Sequence, residues 1–84
     1  MGKLEKAKLR LKNEPTDYTF KEAKSLLISL GFEEYTKGKT SGSRVLFAKD
    51  DKKIMLHKPH PDKEMKMYAI RQLRETLEEI GELS

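Results

Sequence analysis

The stretch from Gly38 to Glu64 most constrains what this chain can fold into, because it contains two short strand-like segments. Residues 44–48 and 53–57 are short runs rich in apolar side chains, and in an extended strand every second side chain faces the same side. A polar turn, residues 50–52, separates them and predicts an antiparallel hairpin. The side chains expected to face the core are Val45, Phe47, Ile54 and Leu56. Residues 32–36 form a third strand candidate.

Helices are predicted on either side of this region. Thr19 and Glu22 have the spacing of a capping box, in which the hydroxyl caps the helix and the carboxylate returns to the cap residue. Gly31 then supplies the left-handed residue that ends this helix. Its apolar stripe consists of Phe20, Ala23, Leu26, Leu27 and Leu30. A second helix is expected to begin near residues 65–67 and to end at Gly81, with a stripe of Ile70, Leu73, Leu77 and Ile80.

The order of these elements predicts an α+β domain. Two helices would pack on one face of a three-stranded antiparallel sheet and leave the other face partly open. Residues 1–13 add a short basic amphipathic helix, so we divide the chain into an N-terminal extension, 1–17, and a domain, 18–84. The extension could lie on a nucleic acid or a partner protein, or it could pack on its own domain.

Composition narrows the function classes. The chain has 84 residues and no cysteine, which allows one small core and excludes disulfides and thiolate chemistry. No apolar run reaches the roughly 20 residues of a membrane span, so a cytoplasmic location is expected. Residues 37–66 hold nine basic and four acidic side chains. This basic centre favours an anionic ligand, and the alternative is a lysine-rich solvated surface.

Three pieces of sequence carry a resemblance to a known family: Gly42-Ser43-Arg44-Val45-Leu46-Phe47, then His60-Pro61-Asp62-Lys63-Glu64-Met65-Lys66, then Gly81-Glu82-Leu83. Together with Gly31-Phe32 after the first core helix, this ordered set resembles the HicA family of bacterial toxins over roughly residues 19–83. The resemblance implies a fold like that of double-stranded-RNA-binding domains. It also implies an mRNA endonuclease that acts without the ribosome and is held inactive by a HicB-type antitoxin.

The sequence departs from the family pattern at one position. After Gly42-Ser43, where the family usually has its catalytic histidine, this chain has Arg44. A histidine near neutrality can accept a proton from a ribose 2′-hydroxyl, whereas an arginine stays protonated and cannot. An arginine can instead hold a phosphate through two hydrogen bonds and offset negative charge.

Candidate site residues follow from the resemblance and from the charge pattern. His60 matches the second histidine of the family and is the main catalytic candidate, while His57 is an additional candidate. In an extended run the two histidines would lie about 9 Å apart on one face. The residues predicted to bind RNA phosphate are Arg44, Lys39, Ser43, Lys58 and Lys63. The alternative is that His57 only ends a strand and His60 only hydrogen-bonds the following turn.

The sequence also contains a possible metal site and two tyrosines that could contact bases. Two histidines with Asp62 as a possible third ligand make a poor metal site, so neither a metal nor a cofactor is predicted. Tyr35 and Tyr68 could stack on bases, or they could be partly buried in the core.

Three functions therefore remain open from sequence alone. The first is a HicA-like toxin that binds mRNA, with endoribonuclease (hydrolase) activity through His60 and Arg44 and a HicB-type antitoxin as partner. The second is a non-catalytic nucleic-acid-binding module on the same fold. The third is a protein-interaction domain whose basic centre is covered by an acidic partner. None of the three requires a membrane.

Overall fold

The computed structural model describes residues 2–35, 44–57 and 64–83. Within them the elements, in chain order, are α1 (Lys3–Lys12), α2 (Phe20–Ser29), β1 (Glu33–Tyr35), β2 (Arg44–Lys49), β3 (Lys52–His57) and α3 (Met67–Glu79). The three strands form one antiparallel sheet in the order β1-β2-β3. The predicted α+β class and the predicted order of elements are confirmed.

The hairpin is longer than the sequence pattern predicts. Lys49 pairs with Lys52, so the turn consists of Asp50 and Asp51 alone, and Asp50 has a positive φ of 55°. The predicted three-residue turn is therefore one residue too long, and β3 begins at Lys52. Asparagine and aspartate tolerate this left-handed conformation better than most residues, which allows the tight connection.

Both predicted helix ends of α2 are present. The Thr19 hydroxyl accepts a hydrogen bond from the backbone N–H of Glu22, and the Glu22 carboxylate accepts one from the backbone N–H of Thr19, at 3.2 and 3.1 Å. Gly31 has a φ of 100°, and the next residue, Phe32, donates its N–H back to the carbonyl of Leu27 at 2.9 Å. This Schellman arrangement returns the Phe32 side chain to the core.

The core lies between the helices and one face of the sheet. Its strand residues are those predicted, Val45, Phe47, Ile54 and Leu56, and they meet Ile70, Leu73 and Leu77 from α3. Ile80, which the sequence places in the same stripe, is only partly buried. Because strand side chains alternate between faces, burial of this set directs the intervening residues to the opposite face, which the helices do not cover.

Helix α1 contributes to the same core. Leu11 is fully buried, and Leu4 and Ala7 pack against the buried residues. The helix contacts both α2 and α3. The predicted division of the chain at residue 17 is untested by this packing and stays a prediction.

Candidate nucleic-acid interface

The outward face of the sheet, which we call the open face, consists of Glu33, Tyr35, Arg44, Leu46, Ala48, Lys53, Met55 and His57. The strand register arranges these side chains in three rows across the sheet. Arg44 lies opposite His57 at one end. Tyr35, Leu46 and Met55 form the middle row. The open face therefore combines a basic end with a largely apolar centre, a combination suited to a ligand with phosphates and flat bases.

Arg44 and His57 form the basic end. They occupy directly opposite positions on β2 and β3, and both are exposed. Residues opposite each other in an antiparallel pair have Cβ atoms about 4.5–5.5 Å apart. Within the described residues, neither side chain forms a hydrogen bond or an ion pair. One phosphate group could therefore contact both side chains.

The remaining predicted site residues lie outside the described residues. These are His60, Lys39, Ser43, Lys58 and Lys63. Residues 36–43 connect Tyr35 to Arg44, and residues 58–63 follow His57. The predicted distance of about 9 Å between His57 and His60 stays a prediction, because His60 lies outside the described residues.

Sequence reasoning missed the pairing of Arg44 with His57. The turn contains the information needed to predict it. If Asp50 and Asp51 form a two-residue connection, Lys49 pairs with Lys52, and this pair fixes every other pair along the hairpin. Five steps from this closing pair bring Arg44 opposite His57. His57 therefore ends a strand, as the alternative interpretation expected, and also lies beside the predicted phosphate-binding arginine.

Two of the three tyrosines are exposed. Tyr35 and Tyr68 are 43% and 64% accessible, and Met55 is 52% accessible. Tyr35 donates a hydrogen bond from its hydroxyl to Glu33 at 3.0 Å, and this bond raises the pKa of Tyr35. Burial instead raises the pKa of Tyr18, whose ring belongs to the core. Of the predicted base-stacking residues, Tyr68 has the larger exposed surface.

The two arginines of α3, Arg71 and Arg74, form ion pairs with a carboxylate from the connection between α1 and α2. Glu14 accepts hydrogen bonds from Nε of Arg74 at 2.6 Å and from Nε of Arg71 at 3.4 Å. The bond from Arg74 is the main reason that the pKa of Glu14 is lowered. Arg74 also donates to Glu78 at 2.8 Å, so part of the acidic end of α3 is paired within the chain. These arginines hold α3 to the N-terminal connection.

A second ion-pair network joins α1 to the start of α2. Arg10 donates to the carboxylates of Glu22 and Asp17 and lies over the Tyr18 ring, 5.7 Å from its centroid. The hydrogen bond from Arg10 lowers the pKa of Glu22. The arginines of the helices, Arg10, Arg71 and Arg74, therefore all form ion pairs with carboxylates of the same chain.

In residues 2–35, 44–57 and 64–83, no group of three or more histidine, aspartate or glutamate side chains could hold a metal ion. No helix in the described part of the chain is long and apolar enough to cross a membrane.

Comparison with known proteins identifies the family of the chain. The family model described as the HicA toxin of bacterial toxin-antitoxin systems matches residues 20–81, which is most of the 84-residue chain and runs from α2 to Gly81. No curated protein and no solved structure gave a match. The matched residues include the whole sheet, with Arg44 and His57 at its basic end. The chain therefore belongs to the HicA toxin family of bacterial toxin-antitoxin systems.

Proposed function

We propose that this HicA-family toxin acts in the cytoplasm by binding mRNA, with the phosphate backbone held at the Arg44–His57 end of the open face. The observation that carries the proposal is that these two side chains lie directly opposite each other, exposed and without a partner among the described residues. An arginine kept free of carboxylates can bind a phosphate through two parallel hydrogen bonds. Lys39, Ser43, Lys58 and Lys63 are proposed to contribute further phosphate contacts.

The proposed reaction is cleavage of RNA without a metal ion. The ribose 2′-oxygen attacks the adjacent phosphorus as a base removes its proton, and the bond from phosphorus to the 5′-oxygen breaks as an acid protonates that oxygen. The products are a 2′,3′-cyclic phosphate and a 5′-hydroxyl. His60 and His57 are the proposed base and acid, because histidine can both accept and donate a proton near neutral pH. Arg44 would offset the charge that develops on the phosphate.

A second function, RNA binding without cleavage, follows if the resemblance aligns Arg44 with the catalytic histidine of the family. An arginine at that position cannot act as the base. In this case the toxin would act by occupying RNA. A HicB-type antitoxin would be the partner under either function, since it is the partner that the family resemblance implies.

Cleavage of purified RNA separates the two functions. We expect expression of the chain in bacteria to slow growth, and we expect purified protein to cleave RNA in EDTA and leave 5′-hydroxyl ends. His60→Ala should abolish cleavage and retain RNA binding. If the wild-type protein binds RNA and leaves it intact, the non-catalytic function is correct. In that case Arg44→His, which restores the family residue, is the variant expected to gain cleavage.

Absence of RNA binding at low salt would contradict both functions. The protein-interaction alternative would then be tested through the antitoxin. It expects that substitution of the exposed α1 residues Lys3 and Lys6 by glutamate, which keeps the buried Leu11 in place, abolishes a complex with a HicB-type protein.

A further inference from the structure

A groove of about 260 Å³ runs between the edge strand β3 and α3. One side is formed by Lys53, Met55 and His57, which alternate along β3 and also belong to the open face. The other side is formed by Tyr68, Gln72 and Thr76. These three are four residues apart, so they lie along one face of α3. We call this groove the β3–α3 groove. It adjoins the proposed phosphate site, because His57 belongs to both.

The direction of α3 places Tyr68 toward the His57 end of the groove. Glu82, just beyond the C-terminal end of α3, accepts a hydrogen bond from Nζ of Lys49 at 2.7 Å. Lys49 pairs with Lys52, the first residue of β3. The end of α3 therefore lies near the start of β3, and the helix runs antiparallel to the strand. Its first turn, with Tyr68, lies toward the last residue of the strand, His57.

The chemistry of the groove suits a nucleobase. Buried apolar side chains, including Ile54, Leu56 and Leu73, also line it, and Tyr68 is the most exposed of the large hydrophobic residues in the described part of the chain. Among the described residues, its lining includes a lysine and a histidine and no carboxylate. Pockets for drug-sized ligands measure roughly 300–1,000 Å³, so the volume fits a smaller, flat ligand.

We propose that the β3–α3 groove binds an unpaired base of single-stranded RNA, next to the phosphate held by Arg44 and His57. The proposal rests on the proposed RNA-binding function and adds the form of RNA that is bound. The Tyr68 ring would stack on the base, and the Gln72 amide, which both donates and accepts hydrogen bonds, would contact the base edge. A paired base in a duplex stays stacked on its neighbours and does not enter the groove, so the toxin should favour single strands.

The β3 edge could also pair with an extended peptide, since its outer backbone groups have no strand partner in the described sheet. The exposed ring of Tyr68 and the continuity with the basic pair favour RNA over a peptide. A protein occupant is therefore an outcome of the test.

Fluorescence anisotropy at low salt would test the groove, with labelled oligouridine and an RNA duplex of equal length as probes. We expect wild-type protein to favour oligouridine. Tyr68→Leu should weaken its binding about tenfold, because stacking of a base on an aromatic ring contributes about 1–3 kcal/mol. The control is Ile28→Ala, an exposed apolar side chain of α2 that lies outside both the open face and the groove and should bind like the wild type. A photoactivatable uridine should cross-link to Tyr68.

Several results would overturn the inference. Equal binding of duplex and oligouridine would contradict it, as would equal effects of Tyr68→Leu and Ile28→Ala. If Arg44→Ala weakens RNA binding and Tyr68→Leu does not, the groove inference fails and the proposed function stands. If Tyr68→Leu instead abolishes only binding of a HicB-type protein, the groove is a protein site. Failure of the wild-type protein to bind RNA would contradict the proposed function itself.

Discussion

The helical layer and the open face of the sheet differ in how their arginines are paired. In the layer of α1, α2 and α3, Arg10 binds Glu22 and Asp17, and Arg71 and Arg74 bind Glu14. On the open face, Arg44 has no carboxylate partner within the described residues. The nearest defined neighbour in its row is His57, which is itself a potential cation. The same residue type thus joins elements in one region and remains available in the other.

This difference distinguishes charges that serve folding from charges that serve binding. An arginine with two carboxylates has little net positive charge around it to attract an anion. An arginine beside a histidine keeps its full charge for a ligand. The net charge of +4 therefore says less about function than the position of the unpaired cations. Three variants test this comparison.

The largest effect on stability should come from truncating Leu11 of α1, which is 0% exposed. Leu11→Ala removes buried apolar contacts and leaves a cavity, so the free energy of unfolding should fall by about 2–5 kcal/mol. Chemical denaturation measures the change. Leu9→Ala is the control on the same helix, because Leu9 is 49% exposed, and it should change stability by less than about 0.5 kcal/mol. Equal effects would mean that residues 1–17 are separable from the core.

An intermediate effect is expected for the open face. Arg44→Ala should weaken binding of oligouridine about tenfold, or about 1.4 kcal/mol, and should leave the unfolding midpoint unchanged. It should also reduce the dependence of log affinity on log salt by about one, as expected when one phosphate contact is lost. Arg71→Ala is the matched control, because it removes the same charge from the helical layer. An equal loss of affinity in both variants would show that total charge governs binding and would contradict the comparison.

The smallest effect should come from Glu14→Gln. Arg74 and Arg71 lower the pKa of Glu14 from 4.5 in the folded state, so ionised Glu14 stabilises the fold above pH 4.5. This contribution is lost as the pH falls through the lower, folded-state pKa. The wild type should therefore be more stable than Glu14→Gln at pH 7, and the difference should disappear in strong acid.

Thermal unfolding as a function of pH measures this difference. Glu79→Gln is the control, because Glu79 is an exposed carboxylate of α3 in the same region. Its removal should not reduce stability at neutral pH, since an acidic side chain at a helix C-terminus is unfavourable. A pH-independent difference between the wild type and Glu14→Gln would mean that the ion pair contributes little.

Features set by local sequence were predicted correctly. The capping box of Thr19 and Glu22 and the left-handed stop at Gly31 depend on contacts between residues a few positions apart, and both are present. The buried hairpin residues were also predicted, because strand alternation depends only on neighbouring positions. These features specified the order of elements and the face of the sheet that is buried.

Features that depend on distant residues were not predicted. Glu14 meets Arg71 and Arg74 across 57 and 60 positions of sequence, and no local pattern indicates that pairing. The exposure of Tyr68 was left open for the same reason, because it depends on how α3 packs beside β3. The family resemblance supplied the proposed role of His60, which lies outside the described residues. That role stays a prediction.

The two-residue turn of Asp50 and Asp51 limits how this family member can tolerate insertions and deletions. Adding one residue there without a bulge would shift the pairing of β2 and β3 by one, and a shift of one residue moves a strand's side chains to the opposite face. Arg44 would lose His57 as its partner, and apolar residues of β3 would reach solvent. Changes in length at this turn are therefore constrained even though it lies at the far end of the hairpin from the proposed site.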